Sequence, residues 1–105
     1  MASSVDFVEF VCEQLAGTGA VRHRKMFGEY MVYVDDRPLV LVCDDTAFVR
    51  IIPELAELMA EAGRGFPYEG AKEHYILDID DAALSRDVVG VLLPLVSVPK
   101  ARKKA

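Results

Sequence analysis

The chain has 105 residues, 52% of them hydrophobic, and its 12 basic and 17 acidic side chains give a net charge of −5. This length and apolar content predict one domain around one core, and the longest apolar runs are far shorter than the ~20 residues of a membrane-spanning helix. Four basic residues follow Pro99, so residues 1–99 carry eight basic and 17 acidic groups, and their net charge of −9 disfavours sequence-independent binding to nucleic-acid phosphates.

The terminal segments and the cysteines bear on the cellular compartment of the protein. The N-terminus lacks a basic segment followed by an apolar one, the pattern of a secretory signal, so a cytoplasmic location is expected. Cys12 and Cys43 lie among apolar residues and are interpreted as buried, reduced thiols. Neither has a Cys or His at zinc-ligand spacing, and no metal or cofactor is predicted. Residues 99–105 are predicted to be a disordered basic tail, which leaves a domain over residues 1–98.

The first predicted element is a helix over residues 5–16. Ser3 or Ser4 can cap it, and apolar residues then recur at helical spacing. These are Val5, Val8, Val11, Cys12 and Leu15. Phe7 and Phe10 broaden the apolar face, which predicts that the helix packs on a sheet.

Residues 22–34 are the most distinctive stretch, because basic and imidazole side chains run directly into an aromatic-rich segment. We predict one strand here, and Gly28 inside it indicates a bulge or a close backbone approach. The aspartates and Pro38 that follow predict a turn, and residues 39–43, apolar throughout, predict a central strand covered on both faces. After a second aspartate turn, residues 47–51 complete an antiparallel meander of three strands.

The second half of the chain predicts a helix, a hairpin and another helix. Pro53 suits the first position of a helix, and apolar residues at helical spacing continue it to position 62. Residues 66–69 predict a short edge strand that pairs with a strand over residues 74–79. The last helix is capped by an aspartate at position 80 or 81, or by Ser85, and carries apolar residues up to Leu95.

Candidate catalytic groups have simpler explanations. Paired aspartates at 35–36, 44–45 and 80–81 fall where turns or helix starts are predicted, and turn geometry explains them better than acid–base catalysis. His23 could act as a general base or a pH switch, but the cations beside it disfavour its protonated form, and a solvent-facing histidine is the preferred interpretation. The sequence has neither a Gly-x-Ser-x-Gly elbow nor a glycine-rich phosphate loop. No enzymatic activity is predicted.

Basic residues beside aromatic ones are also typical of a platform for single-stranded nucleic acid, on which bases stack above a cationic groove. The alternative is that Phe27, Tyr30 and Tyr33 are strand residues that pack against cross-strand neighbours. The acidic composition favours packing. The candidate contact residues for a partner are Arg22, His23, Arg24 and Lys25.

Several short segments, in order and spacing, resemble the N-terminal domain of the TfoX (Sxy) family. They are the run from Arg24 to Tyr33, the strands at 39–42 and 47–50, the Phe66-Pro67-Tyr68 element and the strand at 74–77. Arg24 matches the family signature, as do seven residues that are expected to be mainly structural, Met26, Phe27, Gly28, Tyr30, Tyr33, Phe66 and Tyr68. Glu29 and Met31 stand where the family prefers glycine. The resemblance implies an α+β domain of order α-β-β-β-α-β-β-α with an antiparallel sheet, similar to the type III secretion chaperone fold, in a stand-alone form.

The resemblance also implies a non-enzymatic role in competence and transcription regulation, as a coactivator-type module that binds a protein partner. The expected partner is a second copy of the chain, in a homodimer, or a transcription factor, and the acidic body suits a basic partner. Two alternatives stay open. One is a small-ligand sensor or an uncharacterised enzyme with a pocket near Phe27, Tyr30 and His23, and the other is a weak direct binder of nucleic acid.

Overall fold

The computed structural model describes residues 4–26 and 29–98. Within them it shows helices α1 (Val5–Gln14) and α2 (Ala82–Leu92). The strands are β1 Val21–Met26, β2 Glu29–Val34, β3 Arg37–Cys43, β4 Thr46–Arg50, β5 Arg64–Gly65 and β6 His74–Ile76. They form one antiparallel sheet in the order β1-β2-β3-β4-β6-β5. The predicted α+β class with an antiparallel sheet is confirmed.

The hydrophobic core lies between the two helices and one face of the sheet. Val8 and Val11 of α1 and Val88 and Leu92 of α2 have no exposed surface. They pack with valines of the central strands, namely Val32, Val34, Val40, Val42 and Val49. Each side chain buried in this way contributes about 1.5–3 kcal/mol relative to an exposed one. The opposite face of the sheet, the outer face, carries Met31, Leu41, Phe48 and Ile76 at paired positions.

The stretch that the sequence predicts as one strand is two. β1 and β2 pair antiparallel, with Val21 opposite Val34 and Met26 opposite Glu29, so the chain reverses within residues 22–34. Pairing the two halves satisfies backbone groups that a single long edge strand would leave open. The bulge predicted at Gly28 lies outside the described residues, as does Phe27. A register shift of the β2–β3 pair occurs between Val32 and Tyr33.

The helix predicted from Pro53 is a single 3-10 turn, Pro53–Leu55, followed by further turns. Its N–H groups reach three residues back, from Leu55 to Ile52 at 3.0 Å and from Ala56 to Pro53 at 3.1 Å. Leu55 and Met59 are buried. The apolar spacing in the sequence reflects the burial of these two side chains. Successive turns bury them as well as a continuous α-helix would.

The second hairpin is also shifted from its predicted position. Its edge strand is β5, in which Arg64 pairs with Tyr75 and Gly65 with His74, and not residues 66–69. Pro67 cannot donate to a ladder, which favours a strand that ends before it. A Cβ on Gly65 would lie 3.5 Å from side-chain atoms of both Phe48 and Ile76, so β5 packs closely on β4 and β6.

The observed turns and helix caps agree with those predicted from the sequence. The two aspartate pairs have positive φ angles, 52° and 66° at Asp35 and Asp36 and 52° and 53° at Asp44 and Asp45, as two-residue hairpin turns require. Ser4 caps α1 by accepting the N–H of Phe7 at 3.2 Å. Asp81 caps α2 by accepting the N–H of Leu84 at 3.0 Å. The paired aspartates of the hairpins are therefore turn residues.

Two further predictions concern the chain as a whole. In residues 4–26 and 29–98, no helix combines the length and apolar character that crossing a membrane demands. The basic tail predicted for residues 99–105 lies outside the described ranges, as does Ser3.

Candidate functional site

β1 forms one end of the sheet, and within the described ranges no strand pairs with its free side. The N–H of Asp35 donates to the carbonyl oxygen of Ala20 at 2.9 Å, so these two residues form a hydrogen-bonded pair just before β1. Hydrogen-bonded and non-hydrogen-bonded pairs alternate along an antiparallel ladder. The backbone groups of Val21, His23 and Lys25 therefore point away from β2. We call this row of outward N–H and C=O groups the β1 edge. Such an edge is a template for an added strand.

Three cations lie along the β1 edge. Arg22 and Arg24 are opposite Tyr33 and Met31 and point toward the outer face, whereas Lys25 points toward the helix side. Arg24 and Lys25 are exposed, and neither forms an ion pair with a residue that the structure describes. The strand thus offers positive charge on both faces beside its open backbone.

Two contacts position Arg22. Its Nε donates to Oδ1 of Asp36 at 3.3 Å, and its guanidinium carbon lies 4.3 Å from the centroid of the Tyr33 ring. The two side chains of the ion pair are 51% and 68% exposed, so the pair contributes about 0–1 kcal/mol to stability. Its main consequence is that the ion pair and the ring contact together position the guanidinium on the outer face of β1.

His23 lies apart from the three cations. Its side chain is half-buried on the helix side, opposite Val32, whereas the sequence predicts a histidine that faces solvent. Its ring meets that of Tyr30 edge to face, with centroids 5.5 Å apart and an angle of 83° between the planes. Its Nδ1 is buried and has no hydrogen-bond partner among the residues described. Of the four candidate contact residues, His23 therefore contributes its backbone to the β1 edge, and the other three contribute charge.

The residues of the family signature divide by exposure. Tyr30 and Tyr33 are buried, at 8% and 9% exposed, and Met26 is half-buried. Phe66 and Tyr68 are 63% and 58% exposed. A structural role accounts for the two tyrosines of β2, whereas the two aromatic residues after β5 present apolar surface to solvent.

A pocket of about 450 Å³ opens on the outer face beside β1. The described residues that line it are Met26, Glu29, Met31, Leu41, Cys43 and Tyr68. The carboxylate of Glu29 accepts the N–H of Asp44 at 3.1 Å. Burial, together with the carboxylates of Glu29 and Asp44, raises the pKa of the Cys43 thiol to about 11, so the thiol is uncharged at neutral pH and is a poor nucleophile.

The sequence predicts a pocket near Phe27, Tyr30 and His23. Tyr30 and His23 point to the other face of the sheet, where Tyr30 belongs to the core, and Phe27 lies outside the described residues. Leu41 and Tyr68 line the pocket together although 27 positions separate them in the chain. No local pattern in the sequence signals that they meet, because strand order and the course of the loop after β5 bring them together.

Comparisons with known proteins agree with the resemblance seen in the sequence. A model of the TfoX N-terminal domain family matches residues 13–88. A relative from Spirochaeta aurantia, described as an uncharacterized 12.7 kDa protein in the trpE 5′ region, is 30% identical over 105 residues. That alignment covers 98% of this chain and 91% of the relative.

Proposed function

The chain belongs to the TfoX N-terminal domain family, and on that premise we propose that it is a non-enzymatic interaction domain that regulates gene expression by binding an acidic, extended segment of a protein partner. The observation that carries this proposal is the β1 edge, a strand six residues long with one free side and three cations. When a strand is added to a sheet, main-chain hydrogen bonds supply affinity and side chains at alternate positions supply specificity. A segment with carboxylates at alternate positions would place them beside Arg22 and Arg24.

The charge of β1 favours a partner other than a second copy of the chain. Two β1 strands paired with each other would bring the cations of both copies together, and like charges across a strand pair are destabilising. β5, the strand at the other end of the sheet, has only two residues and offers little backbone for pairing. We therefore propose that the partner is a different protein, of which a transcription factor is the example that the family suggests.

The placement of reactive groups supports a non-enzymatic role. The aspartates at 35–36 and 44–45 occupy hairpin turns with positive φ, where their side chains and backbones serve the turn. The Cys43 thiol is kept protonated by its raised pKa. His23 packs on Tyr30, and the Nδ1 of His74 lies 2.7 Å from the carbonyl oxygen of Lys72. Each of these groups has a structural explanation.

The docking step can be tested with a synthetic peptide of alternating threonine and glutamate, labelled with fluorescein. We expect saturable binding that weakens with salt, since salt screens the attraction between the cations of β1 and the glutamates of the peptide. In hydrogen exchange, the amides of Val21, His23 and Lys25 should become protected, because these N–H groups point outward. Unchanged exchange at all three positions in the presence of saturating peptide would contradict strand addition.

A charge-reversed variant, Arg24→Glu with Lys25→Glu, should bind the peptide at least about tenfold more weakly, since the carboxylate at position 24 repels the glutamates on the outer face and the one at position 25 removes the remaining positive charge on the helix side of the strand. The matched control is Arg50→Glu with Lys72→Glu, which reverses two exposed cations away from β1 and should leave the affinity within about twofold. Equal losses in the variant and the control would show that net charge, and not the β1 edge, governs binding.

The regulatory part of the proposal has its own test in the native organism. A strain that produces the charge-reversed variant should show the same change in transcript levels as a strain that lacks the protein. The control Arg50→Glu with Lys72→Glu should leave transcript levels as in the wild type. A deletion strain with an unaltered transcript profile would contradict the regulatory role, even if the peptide binds.

A second candidate function, a sensor of a small apolar ligand, is favoured by the pocket on the outer face. Its volume falls in the ~300–1,000 Å³ range of small-molecule sites, and two methionines give it an adaptable lining. The neutral dye phenylnaphthylamine should bind there with increased emission, and Leu41→Trp, which fills the pocket, should abolish the increase. The control Val5→Trp, at the exposed start of α1, should retain it. No saturable emission change in the wild type would count against this candidate.

A further inference from the structure

A second concave surface lies away from β1, between the start of α1, the turns at 56–63 and the connection from β6 to α2. It is an open cleft of about 550 Å³. Its apolar floor is formed by Phe7, Leu58, Met59, Ala62, Leu77 and Leu84. Of these, Phe7, Leu58, Ala62 and Leu84 are only partly buried, so the floor presents apolar surface to solvent.

The rim of the cleft is acidic. It carries four exposed aspartate or glutamate residues, Asp45, Glu61, Asp78 and Asp80. No Lys, Arg or His stands among the described residues that line the cleft. The carboxylates of Glu61, Asp78 and Asp80 form no ion pair within the described ranges, and Oδ1 of Asp45 accepts the N–H of Ser4 at 2.8 Å. The carboxylates of Glu61, Asp78 and Asp80 therefore place negative charge beside the apolar floor, and none of the described lining residues supplies a compensating cation.

We propose that this cleft binds a basic, amphipathic segment of a protein partner, with apolar side chains on the floor and Lys or Arg side chains at the rim. Charge complementarity is the argument for this occupant. A purely apolar segment would exclude water from the rim carboxylates without neutralising them, and their mutual repulsion would increase. A bare metal ion fits less well, since no three His, Cys, Asp or Glu side chains in the described residues are grouped closely enough to hold one. The site is separate from the β1 edge and selects the opposite charge, so the domain would hold two different segments at once.

The probe for this proposal is a synthetic peptide of leucine and lysine, about four helical turns long, with leucines at helical spacing and a fluorescein label. Binding to the full chain is measured by fluorescence anisotropy at low and at physiological salt. We expect saturable binding that weakens as salt rises. A peptide in which glutamate replaces every lysine should not bind.

The decisive variant neutralises three rim residues, Glu61→Gln, Asp78→Asn and Asp80→Asn. It should weaken peptide binding about tenfold or more, because three exposed charge pairs are lost. The matched control removes the same number of exposed carboxylates elsewhere, by Glu13→Gln, Glu69→Gln and Asp87→Asn, and should change the affinity by no more than about twofold. Equal losses in the two triple variants would overturn the proposal in favour of non-specific attraction to an acidic protein.

Two further measurements assign the location and the occupant. In NMR spectra of the full chain, the peptide should shift the amide signals of Ala62, Gly63 and Leu84, and shifts confined to β1 would overturn the proposal. A chain that ends at Val98 should bind the peptide with the affinity of the full chain. If only the shortened chain binds, the basic residues after Pro99 are the occupant, and the partner segment is ruled out.

Discussion

The guanidinium of Arg22 lies 4.3 Å from the centroid of the Tyr33 ring, directly across the β1–β2 pair. This contact covers Tyr33 on the outer face, and the residue as a whole is only 9% exposed. A basic residue that the sequence marked as a partner contact thus also packs on its own domain. The two roles can be separated by substitution.

Arg22→Ala removes the contact with Tyr33 and the exposed ion pair with Asp36. We expect a free energy of unfolding about 1 kcal/mol lower, since each interaction at an exposed site contributes only a fraction of that. Urea unfolding measures the difference. Arg24→Ala, on the same strand and face but without an ion pair in the described residues, is the control and should stay within about 0.5 kcal/mol of the wild type. Equal losses for both variants would show that stacking on Tyr33 contributes nothing.

Asp35 ties the end of β2 to the residue before β1. Its Oδ1 accepts the N–H of Ala20 at 2.8 Å, and its φ is 52°. Asp35→Ala loses the hydrogen bond and places alanine in the left-handed region, so it should lower the free energy of unfolding by about 1–3 kcal/mol. Asp35→Asn keeps an acceptor oxygen and tolerates that φ, and should cost less than about 0.5 kcal/mol. Thermal or urea unfolding that ranks the two variants equally would contradict this role.

The carboxylate of Asp35 also blocks a side chain at Gly19. A Cβ there would lie 2.7 Å from Oδ1 of Asp35. Gly19→Ala should therefore destabilise the domain when Asp35 is present and less so in the Asp35→Ala background. A double-mutant cycle measures this coupling. Strict additivity would mean that the aspartate moves away freely.

Two neighbouring aspartates should differ in their effect on stability. Asp81 accepts the N–H of Leu84 at 3.0 Å at the start of α2, and Asp81→Ala should lower the free energy of unfolding by about 1 kcal/mol. Asp80 is exposed, and its carboxylate makes no contact of this kind, so Asp80→Ala should stay within about 0.5 kcal/mol of the wild type. Chemical denaturation decides the order. The reverse order would place the cap at Asp80.

The raised pKa of Cys43 predicts a dependence of stability on pH. An unfolded chain ionises this thiol near pH 9, whereas the folded domain, with a pKa of about 11, keeps it protonated. Between those values the unfolded state binds fewer protons, so the free energy of unfolding falls as pH rises, by up to about 2 kcal/mol. Below pH 9 the contribution is fully present.

Because tyrosine and lysine residues titrate in the same range, the test is the difference between the wild type and Cys43→Ala. The wild type should lose stability more steeply than the variant between pH 9 and pH 11. Parallel profiles would show that the thiol ionises in the folded domain as readily as in the unfolded chain.

Several features of this protein follow from residues a few positions apart, and the sequence alone determined them. Ser4 and Asp81 cap the helices because a short polar side chain reaches an N–H three residues on. The aspartate pairs make the hairpin turns because aspartate tolerates positive φ. Valine-rich segments form strands that pack on the core. The run from Arg24 to Tyr33 contains much of the resemblance to the family. All of these are local properties of the chain.

Other features depend on contacts between distant residues, and only the tertiary structure decided them. The same aromatic-basic stretch reads as one strand or as two until β1 pairs with β2, and that pairing alone turns His23 inward and leaves Val21, His23 and Lys25 with an open backbone edge. The acidic cleft joins Phe7, Glu61 and Leu84, whose proximity no spacing in the sequence expresses. Strand register and the packing of helices on a sheet follow from the burial of the whole core, and a local pattern of hydrophobic and polar residues is compatible with more than one such arrangement.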